Sequence, residues 1–184
     1  WVHPHVISAV ALALGVSAGV SYWLTKFHPG YYVLGAILVA LSGIADSLDG
    51  IVARMTGRTS RVGDLLDHFF DRLVEMAVMV GLATAPGATT TFGMGVTIAG
   101  LLSGYLGTQI VATYGQRDYS SVGRGELFIG LIIASIVFAL WPNGTAEVAG
   151  RSMSYLDIFF AMVAVSVVVS LVQRLRLAFR LAGE

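Results

Sequence analysis

Aspartate is the residue whose abundance and spacing could do chemistry in this chain. Six of its eleven acidic residues fall between positions 46 and 75: Asp46, Asp49, Asp64, Asp67, Asp71 and Glu75. Asp46, Asp49 and Ala53 follow i, i+3, i+7 and share one helical face, and Gly63, Asp67 and Asp71 share another. If the segment between Arg54 and Gly63 is an antiparallel turn, Asp46 and Asp71 both lie about 12 Å below their helix ends, and Asp49 and Asp67 about 6–8 Å below. The four carboxylates then converge as two facing pairs. Four aspartates held together cannot all stay ionised without cations. Arg54 and Arg72 offer some positive charge, but hard divalent ions suit an all-oxygen cluster better. Mg²⁺ takes oxygen ligands, keeps some waters and bridges protein carboxylates to substrate phosphates. Two such ions can clamp the attacking and leaving oxygens of an in-line phosphoryl displacement. That reaction needs positioning and charge neutralisation more than covalent help. Gly50, directly after Asp49, and Gly63, which opens the facing helix, leave room for a bulky ligand against the backbone. A buried ion-pair network and a proton or cation pathway are the other uses of such a cluster. A pathway accounts for neither the glycines nor the spacing.

The elements that must hold these carboxylates are membrane helices. The chain has 184 residues, 56% hydrophobic and 12% charged, with mean hydropathy +0.79. That is too apolar for a water-soluble domain of this size, so the surplus apolar residues face lipid. A span needs roughly 20 mainly apolar residues. Six are expected: Val6–Thr25, Tyr31–Arg54, Gly63–Ala85, Phe92–Thr113, Gly125–Trp141 and Tyr155–Gln173. Short linkers marked by Pro, Gly or charge separate them: His28–Gly30, Thr56–Arg61, Pro86–Gly87, Gly115–Arg124 and Pro142–Gly144. Stripped of their charged turns, the second and third spans keep apolar runs of only about 15 and about 10 residues, too short to cross. The charged turns therefore belong to the helices and line a polar pocket.

The basic residues orient the bundle. Arg54, Arg58, Arg61, Arg117, Arg124, Arg174, Arg176 and Arg180 fall on one side, and only Lys26 and Arg151 on the other. Both termini and the mouth of the pocket are expected in the cytoplasm. The expected fold is an all-α integral membrane protein, six transmembrane helices around a polar cavity open to the cytoplasm, in a single domain over residues 1–184. The chain begins at Trp1 rather than Met, which reads as a domain cut from a longer or fused polypeptide. There is no cysteine, hence no disulfide and no thiol chemistry. Eleven basic and eleven acidic residues cancel, so no overall charge draws the protein to nucleic acid.

The stretch Asp46-Ser-Leu-Asp49-Gly50-Ile-Val-Ala53-Arg54, then eight residues, Gly63, three residues, Asp67, three residues and Asp71 resembles the complete signature of the CDP-alcohol phosphotransferases. All eight fixed positions and every spacing match. The resemblance implies a six-helix membrane fold that forms homodimers. It also implies transfer of a substituted phosphoryl group from a CDP-linked donor (CDP-diacylglycerol, CDP-archaeol or similar) to an alcohol, with release of CMP. Carried over position by position, Asp46, Asp49, Asp67 and Asp71 would hold two divalent ions, Mg²⁺ or Mn²⁺. Asp71 would also be the general base on the acceptor hydroxyl, and Gly50, Ala53, Arg54 and Gly63 would line the CDP moiety. Rival readings are the same chemistry with glycerol phosphate or serine as acceptor, a cation- or proton-coupled transporter, and a catalytically silent membrane anchor.

Weaker signals remain. Arg117, Arg124 and Arg174 suit a phosphate-bearing acceptor such as inositol phosphate, because the guanidinium fork gives bidentate contacts. Positive-inside bias or binding to anionic lipid headgroups accounts for them equally well. The segment Ser121–Glu126 resembles the corresponding segment of inositol-phosphate-using relatives, where an arginine often follows the glutamate; here Leu127 follows. Arg58, Thr59, Ser60 and Arg61 read as a solvated turn, and Asp64 as a charge favoured at a helix start. Glu75 is expected either to assist the site or to pair with Arg72 or another helix. His68 points about 100° away from Asp67 around the helix, so packing is expected of it. Gly15-x3-Gly19 and Gly100-x3-Gly104 permit close helix contact, within one chain or across a dimer. Trp23, Tyr31, Tyr32, Trp141 and Tyr155 read as markers of the membrane interface.

Overall fold

The structure, a computed structural model, describes residues 4–57, 60–115 and 124–183. Among these residues six helices follow the six expected spans: α1 Pro4–Leu24, α2 Gly30–Met55, α3 Arg61–Ala83, α4 Thr90–Tyr114, α5 Arg124–Leu140 and α6 Tyr155–Ala182. The last runs well past the expected Gln173, through a tail rich in Arg, Leu and Ala, which are strong helix formers. Helix α1 packs on α2 and α3, α2 also on α5, α3 on α4, and α4 on α6.

The apolar core fills one half of the bundle. Tyr22, Tyr32, Val39, Val78, Leu82, Leu131 and Phe160 are all but inaccessible. They come from the second half of α1, the first half of α2, the second half of α3, the middle of α5 and the first half of α6. The aspartates occupy the opposite halves of α2 and α3, so the hydrophobic core and the acidic cluster divide the bundle lengthwise. Helices α1 and α3 meet backbone to backbone. A Cβ on Gly19 would strike the Ala77 carbonyl, and one on Gly81 would strike the Gly19 carbonyl. Gly15-x3-Gly19 therefore serves packing within the chain.

Large apolar side chains point outward along every helix: Val20, Ile37, Leu65, Ile98, Ile133 and Val165 among them are half or more exposed. This surface suits lipid and marks an integral membrane protein. Among the described residues, four segments are long and apolar enough to cross a bilayer: Val6–Leu24, Gly30–Met55, Thr90–Tyr114 and Tyr155–Ala182. Helix α3 falls outside that set because it carries the acidic face. Helix α5 falls outside it because it has 17 residues.

One element was absent from the sequence reading. Residues 145–154 form a hairpin of β1 (Thr145–Val148) and β2 (Arg151–Ser154), antiparallel, with Thr145 opposite Ser154 and Val148 opposite Arg151. Its two-residue turn, Ala149-Gly150, has φ of 51° and 76°. Left-handed backbone at both positions closes the tightest hairpins. Strands of four residues without an Asn-Gly or Asp-Gly turn leave little trace in a sequence. Below the hairpin, Asp157 of α6 accepts from the Thr89 amide and hydroxyl, both at 2.8 Å, and so ties the start of α4 to the start of α6. Trp23, Tyr31, Trp141 and Tyr155 gather at this same end of the bundle, where the Lys26 ammonium lies 3.3 Å from the Trp23 ring centroid.

Candidate active site

The turn between α2 and α3 registers the two acidic faces. Helix α2 ends with the Thr56 and Gly57 amides on the carbonyls of Val52 and Arg54, and Gly57 turns the chain at φ 63°. Helix α3 begins at Ser60, whose extended backbone and hydroxyl cap it: Oγ accepts from the Gly63 amide at 3.0 Å. Ser60, read from sequence as part of a solvated turn, is thus the helix cap.

The carboxylates gather from these helices, but as a group of three with Asp71 in a second group along α3 rather than as the two facing pairs expected. Asp46 and Asp49 from α2 and Asp67 from α3 each bring one oxygen within 4.8 Å of the others. A second group, within the same distance, joins Asp67, Asp71 and a ring nitrogen of His68. Asp67 is common to both. Asp49 is 7% exposed; Asp46, Asp67 and Asp71 are half-buried. These three line a cavity of about 280 Å³, closed by Ser8 and Leu12 of α1, Ser42 of α2, and Phe128 of α5. The Ser42 hydroxyl donates to the Ala11 carbonyl at 2.8 Å and ties α1 to the α2 wall.

The remaining expected site residues lie as follows. The Arg54 guanidinium folds back along its own helix, with Nη1 3.4 Å from where a Cβ on Gly50 would stand. Ala53 and Gly63 are half-buried on the two facing helices. Glu75 pairs with Arg72, Nη1 to Oε2 at 2.5 Å, which decides between its two readings. Asp64 occupies the first turn of α3, as expected. His68 departs from expectation: its side chain is 46% exposed, with Nε2 4.0 Å from Asp64. It is therefore not a packing residue, because the flank of α3 where it stands is open. Arg174 donates through Nη1 to the Ser103 carbonyl and, at 3.0 Å, to Ser103 Oγ. It is not among the residues lining the acidic cavity. Arg117, Arg58, Thr59 and residues 121–123 lie outside the described residues, as do the side chains of Arg61 and Arg124.

Sequence reasoning missed Ser8, Ser42 and Phe128. Ser42 stands one turn before Asp46 on the same face, so spacing could have found it. Ser8 and Phe128 reach the cavity only through tertiary packing.

The donor set fits hard divalent cations. Apart from the His68 ring, every donor is a carboxylate oxygen, and a carboxylate shared between two groups is what a pair of neighbouring ions requires. Comparison with known proteins points the same way. A family model described as CDP-alcohol phosphatidyltransferase matches residues 1–173. The chain is 29% identical to a phosphatidylinositol phosphate synthase of Streptomyces avermitilis, over 97% of this chain and 75% of that protein. It is 28% identical to an archaetidylinositol phosphate synthase of Methanothermobacter thermautotrophicus, over 86% and 80%. Its fold resembles that of the phosphatidylinositol phosphate synthase of Mycobacterium tuberculosis. The structure of that enzyme with CDP-DAG bound gives a TM-score of 0.77 at 23% identity, over 95% of this chain and 85% of that one. A second structure of it, with manganese and citrate, gives 0.77 at 24%, over 95% and 81%.

Proposed function

The chain belongs to the CDP-alcohol phosphatidyltransferase family, and from that premise we propose that it moves the lipid phosphoryl group of CDP-diacylglycerol or CDP-archaeol onto a hydroxyl of inositol phosphate, releasing CMP. It is a transferase of substituted phosphate groups. The acceptor is inferred from the names of its bacterial and archaeal relatives. One observation carries the reading. Two candidate ligand groups, one spanning α2 and α3 and one along α3, share Asp67 beside a cavity large enough to admit part of a polar ligand.

Asp46 and Asp49 from α2, with Asp67 and Asp71 from α3, would hold two divalent ions, Mg²⁺ or Mn²⁺. When bound, such ions supply charge neutralisation for the diphosphate and for the departing CMP. Gly50, Ala53 and Gly63 leave the backbone open to the CDP moiety, and the Arg54 fork lies beside Gly50 to meet its charge. Asp71 takes the proton of the acceptor hydroxyl as the hydroxyl oxygen bonds to the lipid-bearing phosphorus and the bond to the CMP oxygen breaks. It must come within about 2.6–3.2 Å of that hydroxyl to do so. Arg117, Arg124 and Arg174 supply the acceptor phosphate with guanidinium partners. All six helices cross the membrane, with the cavity mouth and both termini in the cytoplasm, supported by eight basic residues against two. The enzyme works as a homodimer, as the resemblance of its motif implies.

The test is CMP release by the purified chain with CDP-diacylglycerol and Mg²⁺ or Mn²⁺, across inositol phosphate, glycerol phosphate, serine and free inositol. Release with inositol phosphate, abolished by chelation, is the expected result. Release only with another acceptor overturns the acceptor assignment. Ion flux without any turnover overturns the enzyme.

A further inference from the structure

Four small residues of α4, Gly100, Ser103, Gly104 and Gly107, follow i, i+3, i+4, i+7 and share a face. Two guanidinium groups from two other helices lie on it. Arg72 of α3, paired with Glu75, lies against Gly104, where a Cβ would overlap its Nη1 and Cζ. Arg174 of α6 lies against Gly107, where a Cβ would stand 2.9 Å from Cζ, 3.1 Å from Nε and 3.2 Å from Nη1. A methyl group there would displace the whole planar fork. One turn earlier, the Ser103 carbonyl and hydroxyl both accept from Arg174 Nη1, and the Ser103 hydroxyl donates to Ser170 Oγ at 3.2 Å. Slot and hydrogen bonds thus act on the same guanidinium. Gly104 and Gly107 are about 4.5 Å apart along the axis, so the two cations occupy neighbouring notches on one helix. Arg72 directly follows Asp71 in sequence. Arg72 is committed to Glu75, whereas the half-buried Arg174 fork, held in one place, is suited to a phosphate.

We propose that Ser103 and Gly107 are positioning residues for acceptor recognition, holding the Arg174 fork in the one place from which it meets the acceptor phosphate. The proposal rests on the phosphate-bearing acceptor argued above. The physical argument is geometric. A long arginine side chain has many rotamers, and a fork delivered to one place by a slot and a shared carbonyl meets a phosphate at less entropic cost.

The experiment is a double-mutant cycle on the full chain in detergent, with CDP-diacylglycerol, inositol phosphate and Mg²⁺. Gly107→Ala is expected to raise the acceptor KM about tenfold or more and to leave the donor KM within about twofold. Arg174→Lys is expected to raise the acceptor KM as well. The double variant is expected to be no worse than the worse single one, because a slim ammonium has no plane for the methyl to displace. Ser103→Ala, which adds no volume, is expected to raise the acceptor KM about two- to fivefold. Additive effects in the cycle, equal rises in both KM values, or an unchanged acceptor KM overturn the proposal. Should Gly107→Ala fail to fold, Ser103→Ala decides alone on the same criterion. A wild-type chain that works only with phosphate-free acceptors overturns the function reading instead, before any variant is compared.

Discussion

Asp67 and Asp71 are neighbours on one helix face, and the proposed reaction gives them different work. Both line the cavity, but Asp67 belongs to both ligand groups whereas Asp71 belongs to one. Substituting each by asparagine separates the roles. Asp71→Asn removes the proton acceptor but keeps an oxygen ligand, so CMP release should fall about 10²–10⁴-fold, with the donor KM moving far less than kcat. Asp67→Asn weakens both groups at once. Changes outside a metal's own ligand set already cost about 10–100-fold in affinity. Loss of a shared ligand should therefore raise the Mg²⁺ or Mn²⁺ concentration for half-maximal rate by at least that factor. A metal titration of the two variants that gives indistinguishable curves would remove the distinction.

Among the elements, α3 bears the most constraints. Its first half presents Asp67 and Asp71 to the cavity, its flank sends Arg72 to α4, and its second half is pressed against α1. The contact at Gly19 and Gly81 is backbone on backbone, so no side chain can yield to an added atom. Gly19→Ala should therefore cost about 1–3 kcal/mol through forced displacement of the helices. Gly130 in α5 makes the matched control, because a Cβ there meets nothing within 4 Å. Gly130→Ala should be neutral or stabilising by up to about 1 kcal/mol, through helix propensity. Thermal unfolding of both variants in the same detergent compares them directly. An equal Tm for the two would mean that α1 and α3 have slack the structure does not show.

For the whole molecule, the question is which end faces the cytoplasm and whether α3 crosses. The chain has no cysteine, so single cysteines report without background. Met55, 82% exposed at the end of α2, and Gly183 lie at the acidic end, while Thr90 and Glu147 lie at the hairpin end. In intact cells a membrane-impermeant maleimide should label Thr90→Cys and Glu147→Cys. It should reach Met55→Cys and Gly183→Cys only after permeabilisation. Labelling of Met55→Cys and Thr90→Cys from the same side would mean that α3 does not span. The full reverse pattern would invert the orientation.

Six helices, all but the last close to their full extents, the lipid-facing surface and the approach of Asp46 and Asp49 to Asp67 were legible in the sequence. Each depends on local periodicity: apolar runs of helical length, and acids at i, i+3 or i+4 on two faces joined by a turn too short to misregister them. The hairpin at 145–154 was not legible, since its two four-residue strands derive their order from pairing with each other. Nor were the roles of Glu75, Gly100 and Gly104. A sequence allows an ion pair or a catalytic aid, and a contact within or between chains. The packing of α3 on α4 put the Arg72–Glu75 pair against those glycines. Ser8, Phe128 and the seat of Arg174 likewise depend on which helices become neighbours. Composition and period determined what kind of helix each segment makes and which face holds charge. Only tertiary packing decided what each face meets, because contacts between helices far apart in the chain have no local repeat to announce them.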